Sequence, residues 1–454
     1  MKAVFEALAH HAVMRPGDVA FTDGETSITW AELASRVAGA ATIFRTGPRV
    51  VGLRLNGIPM VVADLAATLA GCRVVPVPWF FSPGQVQHLL ADSGATLVET
   101  LPMASGGTLD YPGGADRVIY TSGTTGRPKG VILGDRQLGA QIDALSSAIA
   151  PGPKDRYLSV LPLAQLLEQI CGVYLPIVAG APCLISPEAG ASIFTGDGRA
   201  LASVAAQVRP TVTVLAPRQL TLWVAAIRAG APVPDSLRLV AVGGAPVSPR
   251  LVAEARALGL PVAEGYGLSE GCSVAALARP DGDGMIPLPG ARIRIEAGEI
   301  VIDGPAVMDG YLGRAPQDGA WHTGDMGRLQ DGHLTVLGRR DGMILRASGR
   351  NIAPEWVEAE ALADSAIPVA ALVLTGEDRL VLVLGATRHP DLASLQARLA
   401  ALPAYARPDA LLIVDPRSDG LIRPSGTADR RVAADLVASN ANALIDLTLP
   451  ETAA

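Results

Sequence analysis

Lysine is nearly missing from this chain. Of its 37 basic side chains only Lys2, Lys129 and Lys154 are lysines, and none follows residue 154. Arginine carries the positive charge elsewhere, so a lysine kept inside a loop points to a site that wants a compact ammonium. Cysteine is scarce too. Cys72, Cys171, Cys183 and Cys272 have neither metal-ligand spacing nor disulfide-scaffold density, which excludes a zinc module and a stapled secreted fold. They are expected as buried small hydrophobes in a reducing compartment. The six histidines are scattered apart from the pair His10-His11 and offer no metal cluster. A net charge of −7 lacks the basic footprint of a nucleic-acid binder. No bilayer-spanning run is present: residues 170–185 are uncharged, but Gly172, Pro176, Gly180 and Pro182 interrupt them, and they fall short of the ~20 residues required. The first residues lack a basic start followed by an apolar core, so no signal peptide is expected and the chain reads as cytoplasmic.

What is present is a globular composition, 49% apolar and 18% charged, over 454 residues, which is too long for one core and suits two or three domains. Val4, Phe5 and Leu8 at helical spacing open the chain, and Pro16-Gly17 stops that helix. Val19-Ala20-Phe21 and Ser27-Ile28-Thr29 flank Asp23-Gly24 as a hairpin, and Thr29 with Glu32 makes a capping box. Apolar, β-branched runs predict strands near 50–55, 74–77, 118–120, 131–133, 209–218, 237–246 and 261–270, with helices at 60–70 and 136–150. Strands alternating with helices predict an α/β architecture: a largely parallel sheet covered on both faces, with ligands beyond the carboxyl ends of the strands. From Arg292 short strands at 292–295, 300–302 and 334–337 alternate with Gly- and Asp-rich turns, predicting a small β-barrel-like subdomain. Gly338-Arg339-Arg340-Asp341-Gly342 is a charged, glycine-flanked candidate hinge. The remainder reads as a separate α+β domain, with strands at 369–374, 380–384 and 410–414 and helices at 354–363 and 392–401.

The densest chemistry lies in Tyr120-Thr121-Ser122-Gly123-Thr124-Thr125-Gly126-Arg127-Pro128-Lys129-Gly130. Glycines turn backbone N–H groups toward a ligand, hydroxyls add donors and lysine adds a mobile charge, a set suited to polyphosphate. It is not the P-loop of nucleotide kinases, since Arg127-Pro128 separates Gly126 from Lys129 and Gly130 follows. The stretch resembles the phosphate loop of the adenylate-forming superfamily: acyl-CoA synthetases, adenylation domains of peptide synthetases, and luciferases. Leu161-Pro162-Leu163-Ala164, leading through Gln165 to Glu168, is similar to a stretch of long-chain acyl-CoA synthetases, which usually carry histidine where this chain has Gln165.

The resemblance runs nearly the whole chain, and further motifs follow in family order. Glu264-Gly265-Tyr266-Gly267-Leu268-Ser269-Glu270 resembles the adenine motif, implying that Tyr266 stacks on adenine, Ser269 meets the α-phosphate and Glu270 helps hold Mg²⁺ together with Thr125. Gly243-Gly244-Ala245-Pro246 resembles the turn lining the adenine and acyl pockets. Trp321-His322-Thr323-Gly324-Asp325 resembles the ribose motif, with Asp325 and Arg339 implied on the ribose hydroxyls and Asp341 as the hinge. The loop around Gly349 resembles the one lining the pantetheine tunnel. The implied division is an N-terminal domain of two α/β subdomains plus the β-subdomain over 1–338, a hinge at 339–341 and a mobile C-terminal domain over 342–454.

The implied reaction joins a small carboxylic acid, fatty or aryl, to ATP with loss of pyrophosphate, then transfers the acyl group to a thiol. ATP, Mg²⁺ and CoA are the expected cofactors, with Lys129, Glu270 and Thr125 at the chemistry. An acyl carrier protein in place of CoA stays open. So does a nucleotide- or acyl-adenylate-binding relative with weakened adenylation, for one reason. Where the family carries a C-terminal lysine, this chain reads Pro424-Ser425-Gly426-Thr427, and neighbouring Arg423, Arg430 or Arg431 would have to substitute.

Overall fold

The computed structural model describes residues 1–121, 128–282, 284–347, 350–376, 378–417, 420–422 and 427–447. The helix Lys2–Met14 buries Val4, Phe5 and Leu8, the residues at helical spacing. Val19–Thr22 and Ser27–Thr29 pair antiparallel. The helix Trp30–Thr46 starts on the expected capping box: Glu32 N donates to Thr29 Oγ1, and Thr29 N donates to Glu32 Oε2.

Two sheets carry the first three quarters of the chain. The smaller has six strands in the order Gly310–Tyr311, Lys129–Gly134, Asp116–Thr121, Arg73–Pro76, Val50–Leu53, Thr96–Val98. The larger is centred on parallel strands Cys183–Ile185, Tyr157–Ser159, Val212–Leu215, Leu239–Val242 and Val262–Tyr266. Beyond Val262–Tyr266 the pairing turns antiparallel through Ala276–Ala278, Met285–Pro287, His333–Arg339, Trp321–Gln330, Glu299–Asp303 and Arg292–Glu296. The parallel strands are apolar on both faces, as covered strands must be. Val212, Val214 and Leu239 join one core, while Leu215, Val240 and Val242 join another on the opposite face with Trp223.

A buried polar knot ties the two sheets together. Arg117, on the strand leading to the phosphate loop, donates to Asp64 Oδ1 at 3.2 Å and Gln169 Oε1 at 2.6 Å, and the Tyr174 hydroxyl donates to Asp64 Oδ2 at 2.5 Å. Removing one partner of such a pair leaves a charge buried and unpaired, at a cost of about 3–5 kcal/mol.

The C-terminal portion forms its own four-stranded sheet, Val369–Leu374, Leu380–Gly385, Ala410–Val414 and Ile445–Asp446, around its own cores. Helices Pro354–Leu362, Leu392–Ala400 and Arg430–Ser439 cover it. It docks on the larger sheet's helices through Arg218, which donates to the carbonyls of Asp364, Ser365 and Ile367. Thr221 donates to the Leu362 carbonyl and Ser248 to Glu360 Oε1 beside it. Two elements differ from the sequence expectation. Trp321–Gln330 is a ten-residue strand although Gly324, Asp325 and Gly327 read as turn residues, and a register shift between Met326 and Gly327 accommodates them. Arg430–Ser439 is a helix capped by Asp429, which accepts from Arg431 N and Val432 N.

Candidate active site

Leu239–Val242 and Val262–Tyr266 run side by side, and the turns beginning at Gly243 and Gly267 leave from their carboxyl ends. Gly244 has φ +85, a conformation that favours glycine. At Gly267 an added Cβ would fall 1.5 Å from the Ser273 carbonyl oxygen, so the fold itself requires this glycine. The chain then passes through Cys272 at φ 55 and Ser273 at φ 90, two non-glycine residues in a sparsely populated region.

Residues from three separate motifs meet in one network. The Tyr266 hydroxyl donates to Asp325 Oδ2 at 2.7 Å. Arg339 Nη1 donates to Asp325 Oδ1 at 3.1 Å and to the Thr323 carbonyl at 2.8 Å, and its Nε donates to Asp341 Oδ1 at 3.2 Å. Burial pushes the Asp325 carboxyl above its ordinary value, against the bonds from Tyr266 and Arg339. Burial, with Asp325 adding to it, pushes the Tyr266 phenol up. Glu264, two residues before Tyr266, is also raised by burial.

Lys129 and Glu270 are joined through Tyr311, which the sequence reading missed. The Tyr311 hydroxyl donates to Glu270 Oε1 at 2.7 Å, and Lys129 Nζ stands 5.5 Å from the centroid of its ring. Strand pairing sets this up, because Tyr311 lies opposite Val131 while Lys129 lies opposite Thr121. The available signal was an isolated aromatic between Gly310 and Gly313 in a chain with 4% aromatics. Ser122, Gly123, Thr124, Thr125, Gly126 and Gly349 lie outside the described residues. Among the described residues no group of three or more His, Cys, Asp or Glu could hold a metal. A lone carboxylate at Glu270 still fits Mg²⁺, which keeps waters and takes further oxygens from phosphate.

A cavity of about 830 Å³ opens between the sheets. Thr121, Gln165, Gly243, Gly244, Gly265, Tyr266, Gly267 and Ser269 line it. Lys129, Ala245, Pro246, Glu264, Glu270, Asp325, Arg339 and Asp341 do not belong to its described wall. Gln165 is exposed and precedes the short helix Leu166–Glu168 as its N-cap. The C-terminal portion contributes Thr427 and Asp429 to the wall. Arg430, one of the arginines considered as a lysine substitute, turns into its own domain and binds Glu355 and Glu358, each at 2.9 Å. Burial pushes the Glu358 carboxyl up to about 7, with Arg430 opposing. Arg423 lies outside the described residues, and Arg431 is exposed.

The inner end of the cavity is apolar. Side chains alternate along a strand, so Val212 and Val214, and Leu239, Ala241 and Gly243, present one face to it. Tyr157, Val212 and Leu239 are the first residues of three adjacent strands and pair in one row, forming the floor. The Tyr157 side chain is buried, and its hydroxyl has no hydrogen-bond partner among the described residues. Leaving a buried hydroxyl unpaired costs about 1–3 kcal/mol.

Residues 8–110 and 117–312 match the family described as AMP-binding enzyme. Feruloyl-CoA synthase of Amycolatopsis sp is 30% identical over 406 residues, covering 77% of this chain and 81% of its own. Indoleacetate–CoA ligase of Aromatoleum aromaticum is 26% identical over 422 residues, covering 78% and 81%. In three dimensions the chain is similar to o-succinylbenzoate CoA synthetase from Bacillus subtilis in complex with its acyl-adenylate intermediate, with a TM-score of 0.78 at 23% identity over 94% of this chain and 97% of that one. With the family pattern covering well over half its length, the chain belongs to the AMP-binding enzyme family.

Proposed function

We propose that this protein activates an aryl carboxylic acid with ATP and passes the acyl group to CoA. The observation that carries the reading is the joining of Tyr266, Asp325 and Arg339 into one network beside a deep apolar cavity. A nucleotide needs the first and the body of an organic acid needs the second. In the first step a carboxylate oxygen attacks the α-phosphorus of ATP, the bond to the β-phosphate oxygen breaks, and pyrophosphate leaves. In the second the CoA thiolate attacks the acyl carbon and AMP leaves with the carbonyl–oxygen bonding pair.

The protein's part is positioning and charge stabilisation. Lys129, with Thr121, Ser122, Gly123, Thr124, Thr125 and Gly126, holds the phosphates. Glu270 and Thr125 would hold Mg²⁺, which would supply positive charge beside the pyrophosphate. Tyr266 would stack on adenine, with Gly244, Ala245, Pro246, Glu264 and Gly265 as the other residues of the nucleotide site. Ser269 meets the α-phosphate, and Asp325 with Arg339 meets the ribose. The C-terminal domain, 342–454, swings about Asp341 and brings Gly349 to the pantetheine path beside Gly243 and Gly267. Of the fatty and aryl acids expected from sequence, the aryl class is supported by the relatives, each named for an acid with an aromatic ring.

The test is ATP–pyrophosphate exchange over a panel of aryl and fatty acids, followed by thioester formation with CoA. Aryl-acid-dependent exchange and an aryl-CoA product are expected. No exchange with any acid, or adenylate that never transfers to CoA, would overturn the reading.

A further inference from the structure

Two steps along the strand Glu299–Asp303 are matched by four along Trp321–Gln330: Glu299 pairs with Met326, and Val301 with His322. Thr323, Gly324 and Asp325 therefore bulge away from this partner strand, a device that re-aims side chains beside a site. Their polar groups need partners outside that ladder. The Thr323 hydroxyl donates to the Ile300 carbonyl at 2.7 Å, and Asp325 N donates to Thr323 Oγ1 at 3.0 Å. Gly324, at φ +74, turns its N–H toward a side chain and donates to Glu299 Oε1 at 2.7 Å. The other oxygen of the same carboxylate reaches the proposed pivot. Arg340 Nη1 donates to Glu299 Oε2 at 2.7 Å, and Arg340 opens the short helical turn Arg340–Gly342 that contains Asp341. His322 Nδ1 stands 3.4 Å from Oε2, and Glu296 stands 3.7 Å from His322 Nε2. The Glu299 side chain is 7% exposed and that of Arg340 63%, so the bond to the carboxylate, and not packing, fixes the arginine.

We infer that Glu299 is a positioning residue whose two oxygens join the ribose turn to the pivot, so that the grip on the nucleotide and the seating of Arg340 depend on each other. The inference rests on the proposed placement of Asp325 and Arg339 at the ribose and adds the residue that aims them. Glu299 touches neither the ribose nor the reacting atoms in this reading; it acts through Gly324, whose neighbour is Asp325. The link closes on its other side as well. Arg339 precedes Arg340 in the chain and binds both Asp325 and Asp341. Coupling of this kind is reciprocal: a change that frees Arg340 loosens the ribose turn, and a nucleotide that orders the turn steadies Arg340.

The experiment measures calorimetric binding of ATP and of 2′,3′-dideoxyATP, which differ only in the ribose hydroxyls, to the full chain. Wild type, Glu299→Gln, Arg340→Ala and the double variant are compared. Both nucleotides carry the same phosphate charge, so the ratio of their affinities cancels any direct attraction between Arg340 and phosphate. Wild type is expected to favour ATP by about 10-fold or more, the value of hydrogen bonds to a charged group. That ratio should fall at least about 3-fold in each single variant, and no further in the double variant than in Glu299→Gln, because the two residues act as one link. Arg340→Lys, which keeps the charge, should recover part of the ratio. An unchanged ratio in Arg340→Ala, or losses that add in the double variant, would overturn the inference. Thermal unfolding checks each variant; if Glu299→Gln does not fold, the exposed Arg340→Ala alone decides. A wild type that binds both nucleotides equally would overturn the inference together with the placement of Asp325 and Arg339. Failure of every acid in pyrophosphate exchange, with the expected nucleotide ratios, would overturn the proposed function and leave this inference standing.

Discussion

Lys129 and Glu270 have opposite charges and share one aromatic neighbour, Tyr311. Fixed groups aimed at developing charge are typically worth ~3–4 kcal/mol, so Lys129→Ala and Glu270→Ala should each lower pyrophosphate exchange by roughly 10²–10³ with the fold intact. Tyr311→Phe removes one hydrogen bond to a charged acceptor and should cost less, about 10-fold. Near-normal exchange in both charge variants would remove them from the site. Thr427 presents the opposite case. It lines the cavity at the position where the resemblance implies a lysine, yet brings no charge. Arg430 is held by Glu355 and Glu358, so it does not supply that charge in this arrangement. Thr427→Lys should therefore raise single-turnover adenylation by about 10-fold, since a charged hydrogen bond is worth ~1.5–3 kcal/mol, and change the thioester step little. Unchanged adenylation in Thr427→Lys would mean that this position does not reach the reacting carboxylate.

Elements set by local periodicity were legible from sequence: the helix Lys2–Met14, the strand Val212–Leu215 and the hairpin partners Val369–Leu374 and Leu380–Gly385. Trp321–Gln330 was not, because cross-strand pairing holds it against its own glycines. The site divides the same way. Asp325, Arg339 and Tyr266 carry motif signals, whereas Tyr311 acts on a residue 41 positions away. The segment after Leu163 shows a further limit. Glu168 closes the short helix Leu166–Glu168 and is followed by a π-helix at Gln169–Tyr174. The sequence singles it out within Leu-Pro-Leu-Ala-x-x-x-Glu but not its burial, which pushes the carboxyl from 4.5 up to about 8. The folded state thus keeps a proton that the unfolded chain sheds. This contribution is complete below pH 4.5 and is lost as pH rises toward 8, at up to about 1.4 kcal/mol per pH unit. Glu168→Gln should flatten that slope and gain on wild type as pH rises, as read by urea unfolding at about pH 5 and pH 8. Parallel slopes in the two proteins would show that Glu168 ionises normally.

Across the whole molecule, one interface decides where Thr427 sits. The contacts gather at the carboxyl end of Pro354–Leu362, where Arg218 donates to three carbonyls and Thr221 to a fourth. A cation is favoured at a helix carboxyl end, and burial lowers the Arg218 guanidinium only to about 10, so it remains charged at neutral pH. With this contact made, Thr427 and Asp429 close one side of the cavity. The C-terminal sheet has its own cores, so loosening the contact leaves both parts folded. Arg218→Ala should then lower adenylation by about 10-fold, the value of charged hydrogen bonds lost from one of two arrangements. Thioester formation from supplied acyl-adenylate should fall less, because under the proposed swing about Asp341 the C-terminal domain leaves the Arg218 contact for that step. Rapid-quench rates for the two half-reactions separate the outcomes. Equal losses in both would mean that Arg218 only holds the protein together, and an unchanged adenylation rate would mean that the docking seen here is not the arrangement in which the acid is activated.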